Sequence, residues 1–258
     1  MADLSRPGQA RPAISAHRGG AETGESGTYQ AYRAAVAAGA DYAEFDVRVT
    51  ADHELVALHR SHLRRCGPIA AMSYQRLCVQ AGYEVPRVAA LINLLAGRAR
   101  AHIDLKVAAA ADEALRLALA LMPPAAVLVT TRDNGLARAI RVRHPEVPVG
   151  LAIGGDFAEF ARYARQRLGA PAMTRLDDVL ATGATWAAIH DRQAGPALLE
   201  RCQEQGIGTL IWTVNGDRAL RRWLASPLVS VVVTDRPARA VSLRDQIRPG
   251  PPRGPAGR

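Results

Sequence analysis

The chain has 258 residues, 48% hydrophobic and 22% charged, with 22 glycines and 16 prolines, a mixture that can bury a full core and excludes collagen-like or disordered chains. No apolar run approaches the roughly 20 residues needed to cross a bilayer, and residues 1–16 lack the continuous apolar stretch of a secretory signal, so a cytoplasmic protein is expected. The formal charge is +9, but residues 236–258 carry six arginines against the single acid Asp245. The body therefore shows no broad basic face, and no nucleic-acid partner is expected. Cys66, Cys78 and Cys202 are odd in number and widely spaced, which supports neither a disulfide framework nor a thiolate zinc site; they read as reduced and structural. Among 33 basic residues the only lysine is Lys106.

In chain order, residues 1–10 form a Pro/Gly/Arg-containing start and residues 248–258 (RPGPPRGPAGR) a similar end. Both are expected to be disordered around a single domain at 11–247. Within it, short apolar β-branched segments recur at Ala13 to His17, Tyr42 to Val49, His102 to Val107, Ala126 to Thr130, Val147 to Ile153, Trp186 to His190, Thr209 to Val214 and Val229 to Thr234. Stretches of helical period separate them: Tyr29 to Ala38, Ala109 to Leu121, Asn134 to Arg143, Phe157 to Arg167, Pro196 to Gln205 and Arg218 to Ala225. Gly39 and Gly206 stand where helix C-caps belong, and Pro196 suits a first helical turn. Eight alternating units of this length predict an α/β fold, a (β/α)8 TIM barrel. The wide gap between the second and third strands predicts a small insertion at about 55–98, beginning with a short strand at Leu55 to His59 that returns beside the second.

In such a barrel, functional groups come from the C-terminal ends of the strands and the loops that follow. His17 and Arg18 close the first strand, Asn215 the seventh and Asp235 the eighth. Glu44 and Asp46 lie two apart in the second strand and so share one face; Asp104 and Lys106 do the same in the third. Carboxylates aimed into a barrel interior need a positive partner. A divalent cation, Mg²⁺ or Ca²⁺, suits such hard oxygen donors. Singly, each feature has a plainer reading: Glu44 and Asp46 pairing with Arg48, Asp104 with Lys106 in an intrastrand ion pair, His17 and His59 as hydrogen-bonded structural residues. Together, two histidines, three acids and a lysine at strand ends are more than packing requires.

The segments AHRGG (16–20), AGADYAEFDVRVTADHELVALH (38–59), HIDLK (102–106), WTVN (212–215) and TDRP (234–237) resemble, in this order, the glycerophosphodiester phosphodiesterases; the sphingomyelinase D enzymes of spider venom resemble the same pattern. The resemblance implies a metal-dependent barrel hydrolase of lipid metabolism that releases glycerol-3-phosphate and an alcohol from a small phosphodiester. Glu44, Asp46 and Asp104 would hold the metal, His17 and His59 would act as acid and base, Lys106 would contact the phosphate, and Arg18, Trp212 and Asn215 would line the substrate site. Which histidine is acid, which metal binds and what the oligomeric state is stay open.

The chain departs from the family pattern at several places. Ser26, Gly27 and Thr28 stand where E-N-T is usual, with Glu25 one residue away. Arg60 follows His59 where the family has Asp, Asp104 stands where Glu is common, and residues 127–133 read VLVTTRD in place of a serine followed by an aromatic residue. These departures leave two rivals: a repurposed enzyme that acts on another phosphate or diphosphate ester, with a cyclic product, and a non-catalytic barrel that binds a phosphorylated ligand. The nucleotide-binding and serine-hydrolase motifs GxxxxGK[ST], GxGxxG and GxSxG are absent from the sequence.

Overall fold

The structure, a computed structural model, describes residues 11–63, 66–154 and 176–247. Eight parallel strands close on themselves: β1 (Ala13–Ala16), β2 (Tyr42–Val49), β3 (Arg100–Leu105), β4 (Val127–Thr131), β5 (Val149–Ile153), β6 (Trp186–His190), β7 (Gly208–Trp212) and β8 (Val231–Thr234). Each pairs with the next, and β1 pairs with both β8 and β2, which completes the expected (β/α)8 barrel. The second and sixth strands have the bounds read from the sequence, and the others shift by one or two residues at one or both ends. The third begins at Arg100 and ends before Lys106, because polar Arg100 continues the strand pairing by lying opposite Tyr42.

Strand alternation sorts the side chains into two environments. Ala43, Phe45, Val47, Ala101, Ile103, Leu105, Val127 and Val129 face outward into a continuous buried layer beneath the helices. Tyr42, Leu128, Trp186, Ala188, Leu210, Val231 and Val233 form a second, inner cluster that plugs the barrel. The inner faces of β2 and β3 become polar toward their C-terminal ends, and the register pairs Glu44 with His102 and Asp46 with Asp104.

The excursion between β2 and β3 has two parts. Leu55–Ala57 returns antiparallel to β2 as expected, and is followed by a small hairpin (His62–Leu63 with Gly67–Pro68) and the helix Tyr74–Ala81. The helix Val88–Leu95 belongs to the barrel's outer layer, since Val88, Leu91, Ile92 and Leu95 are all fully buried. Each such side chain contributes about 1.5–3 kcal/mol on transfer from water. The separable insertion therefore ends before residue 88, earlier than the expected 98.

The expected helices over Tyr29–Ala37, Ala111–Leu121, Asn134–Arg143, Pro196–Glu204 and Asp217–Leu224 are present, with Pro196 in the first turn of its helix. The expected helix at Phe157 to Arg167 lies outside the described residues, as do the two terminal segments. The helix Pro237–Gln246, which the composition had grouped with a basic tail, packs on the barrel through Pro237, Ala240 and Leu243. Its arginines are structural: Arg236 and Arg239 both bind Asp217, and Arg244 binds Asp41. The three cysteines are free thiols; Cys202 is buried, and burial pushes its thiol up to about 11.

Gly208 opens β7 directly beneath the Trp186 ring, and a Cβ there would approach three ring atoms at 2.7–2.9 Å. Gly208→Ala is expected to cost about 1–3 kcal/mol through overpacking, measured as the change in unfolding free energy in a denaturant titration.

Candidate active site

The C-terminal mouth of the barrel opens into a cavity of about 380 Å³ whose wall includes His17, Arg18, Glu44, Asp46, His59 and Asp104. Lys106 and Trp212 line the same space. Of the strand-end residues singled out in the sequence, Asn215 and Asp235 are not in this wall and stand one step behind it.

The first turn after β1 explains the HRGG run. Arg18 adopts a left-handed backbone conformation, φ 50° and ψ 37°, which directs its N–H to Glu44 Oε2 at 2.8 Å. Gly19, at φ +76°, lies against the start of the following helix, where a Cβ would come within 2.7 Å of the Tyr32 nitrogen. Gly20, at φ +91°, is pressed against Pro237, whose Cδ would lie 2.7 Å from a Cβ. Side chains are excluded at both positions by space and by backbone conformation. The loop is tied to the last helix by Glu22, which accepts from the Ala238 and Arg239 nitrogens.

Each histidine is held by a carboxylate. His17 Nδ1 donates to Asp235 Oδ1 at 2.6 Å, and Asn215 Nδ2 donates to the other oxygen of Asp235 at 2.5 Å. Asn215 Oδ1 accepts from the Asp235 nitrogen at 2.9 Å. The seventh and eighth strand ends therefore form a relay, Asn215 to Asp235 to His17, in which Asn215 acts through its neighbour. The sequence reading noted Asp235 only as a strand end; its signal was the TDRP segment. Burial disfavours the charged His17 ring, but the hydrogen bond to Asp235 and the charge of Glu44 outweigh it and raise the His17 pKa above its ordinary value.

His59 Nδ1 donates to Asp46 Oδ1 at 3.2 Å. Its backbone is clamped by Arg48, whose Nε and Nη2 donate to the His59 carbonyl at 3.0 and 2.8 Å. Arg48 thus positions the His59 loop, while the charges that meet the acids are Lys106 and Arg18. Lys106 Nζ lies 2.6 Å from Asp104 Oδ2 and 2.9 Å from Asp46 Oδ1, so the intrastrand pair read from spacing extends across two strands. Arg18 Nε approaches Asp46 Oδ2 at 3.0 Å without hydrogen-bond alignment.

The acid cluster is electrostatically uneven. Burial alone would raise the Asp46 pKa, but Lys106, His59 and Arg18 hold this carboxyl well below its ordinary range. Glu44, 4% exposed, is pushed up to about 7 by burial and by the charge of Asp46, against the opposing pull of His17. Lys106 loses by burial, but Asp104 and Asp46 more than compensate and raise its pKa. His102, which nothing in the sequence marks as part of the site, is buried between Ser15 Oγ and Thr130 Oγ1 at 3.0 Å each. Burial lowers its pKa to about 4, so it is a neutral, structural member of the barrel interior.

Glu44, Asp46 and Asp104 offer ligand oxygens within 4.8 Å of one another. Asp46 Oδ2 is a buried acceptor with no hydrogen bond, and burial together with the charge of Asp46 pushes Glu44 up to about 7. An all-carboxylate donor set of this kind fits a hard divalent cation. On the opposite side of the cavity Trp212 donates from Nε1 to the Ala188 carbonyl at 3.0 Å, with the His190 ring against it edge-on at 5.0 Å and the Arg132 guanidinium 5.1 Å from its centroid.

Comparison with known proteins agrees with this geometry. The sequence model of the glycerophosphoryl diester phosphodiesterase family matches residues 17–91, the stretch that holds His17, Glu44, Asp46 and His59. No curated protein matches the chain in sequence. Among solved structures, a glycerophosphodiester phosphodiesterase from Parabacteroides distasonis is similar at a TM-score of 0.75 and 18% identity, covering 91% of this chain and 97% of that one. One from Thermotoga maritima gives 0.71 and 18%, covering 90% and 98%. A phosphodiesterase from Oleispira antarctica, in complex with the product sn-glycerol-3-phosphate, gives 0.71 and 16%, covering 91% and 97%. The resemblance read from the sequence to the glycerophosphodiester phosphodiesterases is borne out, and the barrel is theirs.

Replacing Asp235 by Asn removes the carboxylate that favours the His17 imidazolium while keeping its shape. The His17 pKa is expected to fall, and ¹⁵N-detected imidazole titration by NMR measures it.

Proposed function

We infer that this chain, a phosphoric diester hydrolase with the glycerophosphodiester phosphodiesterase signature over residues 17–91, cleaves a glycerophosphodiester to glycerol-3-phosphate and an alcohol by acid–base catalysis between His17 and His59. The observation that carries the reading is the convergence on one cavity of two histidines, each oriented through Nδ1 by a carboxylate, around three acids close enough to share a cation.

Glu44, Asp46 and Asp104 would hold a divalent cation, Mg²⁺ or Ca²⁺, which when bound neutralises the phosphodiester and favours the charge that builds up on its oxygens. The chain's own groups do the rest. With Nδ1 committed to a carboxylate, each imidazole exchanges protons through Nε2. One accepts the proton of the attacking oxygen, either water or a neighbouring hydroxyl of the glycerol, the latter giving a cyclic phosphate that water then opens to glycerol-3-phosphate. The other delivers a proton to the departing alkoxide, a leaving group too basic to depart unaided at neutral pH. Asp235 and Asp46 keep the two rings in the productive tautomer, as an orienting aspartate does in a hydrolytic triad. Lys106, fixed between Asp46 and Asp104, presents its ammonium to the phosphate, and Arg18 supplies a second cation at the same rim.

His17→Ala and His59→Ala are each expected to lower kcat by at least ~10³-fold, the upper part of the range for general acid–base groups, with an unchanged melting temperature. Phosphorus NMR of the products and calorimetric melting check both halves; full turnover by either variant refutes the assignment. Chelation by EDTA is expected to stop turnover, and restoring Mg²⁺ or Ca²⁺ to recover it.

A second expectation follows from Glu44. Its carboxyl must lose a proton to ligate, and its pKa near 7 lies above that of an ordinary glutamate. Metal affinity should therefore rise by up to about tenfold per pH unit below 7 and level off above it. Isothermal titration between pH 5.5 and 8.5 reads this directly, and in Glu44→Gln the slope should vanish with most of the affinity.

A further inference from the structure

A second cavity of about 600 Å³ adjoins the first and shares Arg18, Asp46 and His59 with it. Any diester whose phosphate sits at the acid cluster can run one arm straight into this space. Its floor is apolar, with Leu58, Leu63 and Ala81, but its rim carries charges of opposite sign. Glu25 arrives on the loop after β1 and Arg60 on the segment after the short strand Leu55–Ala57, with Tyr83 from the insertion between them in electrostatic terms. Beyond the effect of its own burial, the Tyr83 hydroxyl feels Glu25 and Arg60 together, in opposite directions. The two do not neutralise each other: among the described residues, neither takes part in an ion pair within 4.0 Å.

We propose that this cavity is a specificity subsite for an ester arm that carries both an ammonium and a carboxylate, the serine-type headgroup being the simplest. The proposal rests on the phosphodiesterase reading above and supplies the alcohol that reading leaves unnamed. A glycerol arm engages neither charge. An ethanolamine or choline arm satisfies Glu25 but sets a cation near Arg60, and a purely anionic arm meets the reverse conflict. A dipolar arm alone answers both. The volume falls within the ordinary range for small-ligand sites of roughly 300–1,000 Å³. Arg60 after His59 and the acid at Glu25, two places where the sequence departs from the pattern it resembles, both lie on this rim.

If Glu25 and Arg60 were only solubilising surface charges, exchanging them would not discriminate between substrates. The full chain, with Mg²⁺ present, is assayed for kcat/KM on glycerophosphoserine, glycerophosphoethanolamine and glycerophosphoglycerol, in low salt and in 0.5 M salt. The serine ester should be preferred over the glycerol ester by about tenfold in low salt, and by less in high salt. Arg60→Gln should reduce that preference about fivefold, the scale of one partly exposed ion pair, and should not lower the ethanolamine-to-glycerol ratio. Glu25→Gln should lower both ratios. Equal kcat/KM for the three esters, or variants that shift all three by one common factor, overturns the subsite and leaves the phosphodiesterase reading standing. If none of the three is hydrolysed by the native chain, the parent reading falls and the subsite falls with it.

Discussion

The site depends on negative charge held inside a barrel. Tyr42–Val49 and Arg100–Leu105 run parallel in a register that sets Asp46 beside Asp104, and strand alternation then aims both, with Glu44, at the barrel axis. Two unit charges about 4 Å apart repel by roughly 4 kcal/mol at an effective dielectric near 20. The chain answers with Lys106 and Arg18, and that answer is incomplete: Glu44 keeps its proton up to about pH 7. A cluster left one positive charge short is a poor structural element and a good cation site. His17 answers to the same field: against its burial, the hydrogen bond to Asp235 and the charge of Glu44 when ionised raise its pKa.

The scaffold transmits this arrangement to groups on loops, which would otherwise be the least ordered part of a barrel mouth. His17 lies just past β1, yet Asp235 at the end of β8 holds its ring and Asn215 after β7 holds Asp235. His59 lies past the short antiparallel strand, yet it is anchored to β2 at both ends, its ring by Asp46 and its carbonyl by Arg48. Arg18 stores a left-handed backbone at a cost of order 1–2 kcal/mol, offset by the hydrogen bond its N–H makes to Glu44. Both imidazoles thereby inherit the rigidity of strands while remaining on the cavity wall.

Much of this was legible in the residues. Strand order, the alternation that pairs Glu44 with Asp46, and the arrival of His17 and His59 at one mouth follow from period and from the barrel rule. The hydrogen-bond hierarchy did not follow. Asn215 looked like a substrate contact, because a polar residue at a strand end says nothing about whether its neighbour will claim its amide; Asp235 does. Arg48 looked like a partner for the carboxylates, but the hairpin with Leu55–Ala57 brings the His59 carbonyl within its reach. The last helix went unread because its Arg-rich, weakly amphipathic surface resembles the chain end beyond it. Its two arginines and Arg236 just before it are committed to Asp217 and Asp41, partners distant in sequence that only the closed barrel brings near.

The single lysine of the chain has a physical explanation in this setting. Lys106 Nζ sits within 3 Å of two carboxylates on neighbouring strands, 2.6 Å from Asp104 and 2.9 Å from Asp46, in a gap whose width is set by strand spacing of about 4.8 Å. An ammonium is compact and offers three donors in a tetrahedral arrangement, so two can serve the acids while the third points to the cavity. A guanidinium is planar and wider, with its donors fixed in one plane, and bridging both carboxylates would lay that plane across the gap. In a sequence that uses arginine everywhere else, retaining lysine here is what a site limited by strand spacing would demand. The same spacing sets Asp46 beside Asp104, so that one geometric quantity, the separation of two hydrogen-bonded strands, governs both where Lys106 fits and how closely these two carboxylates approach.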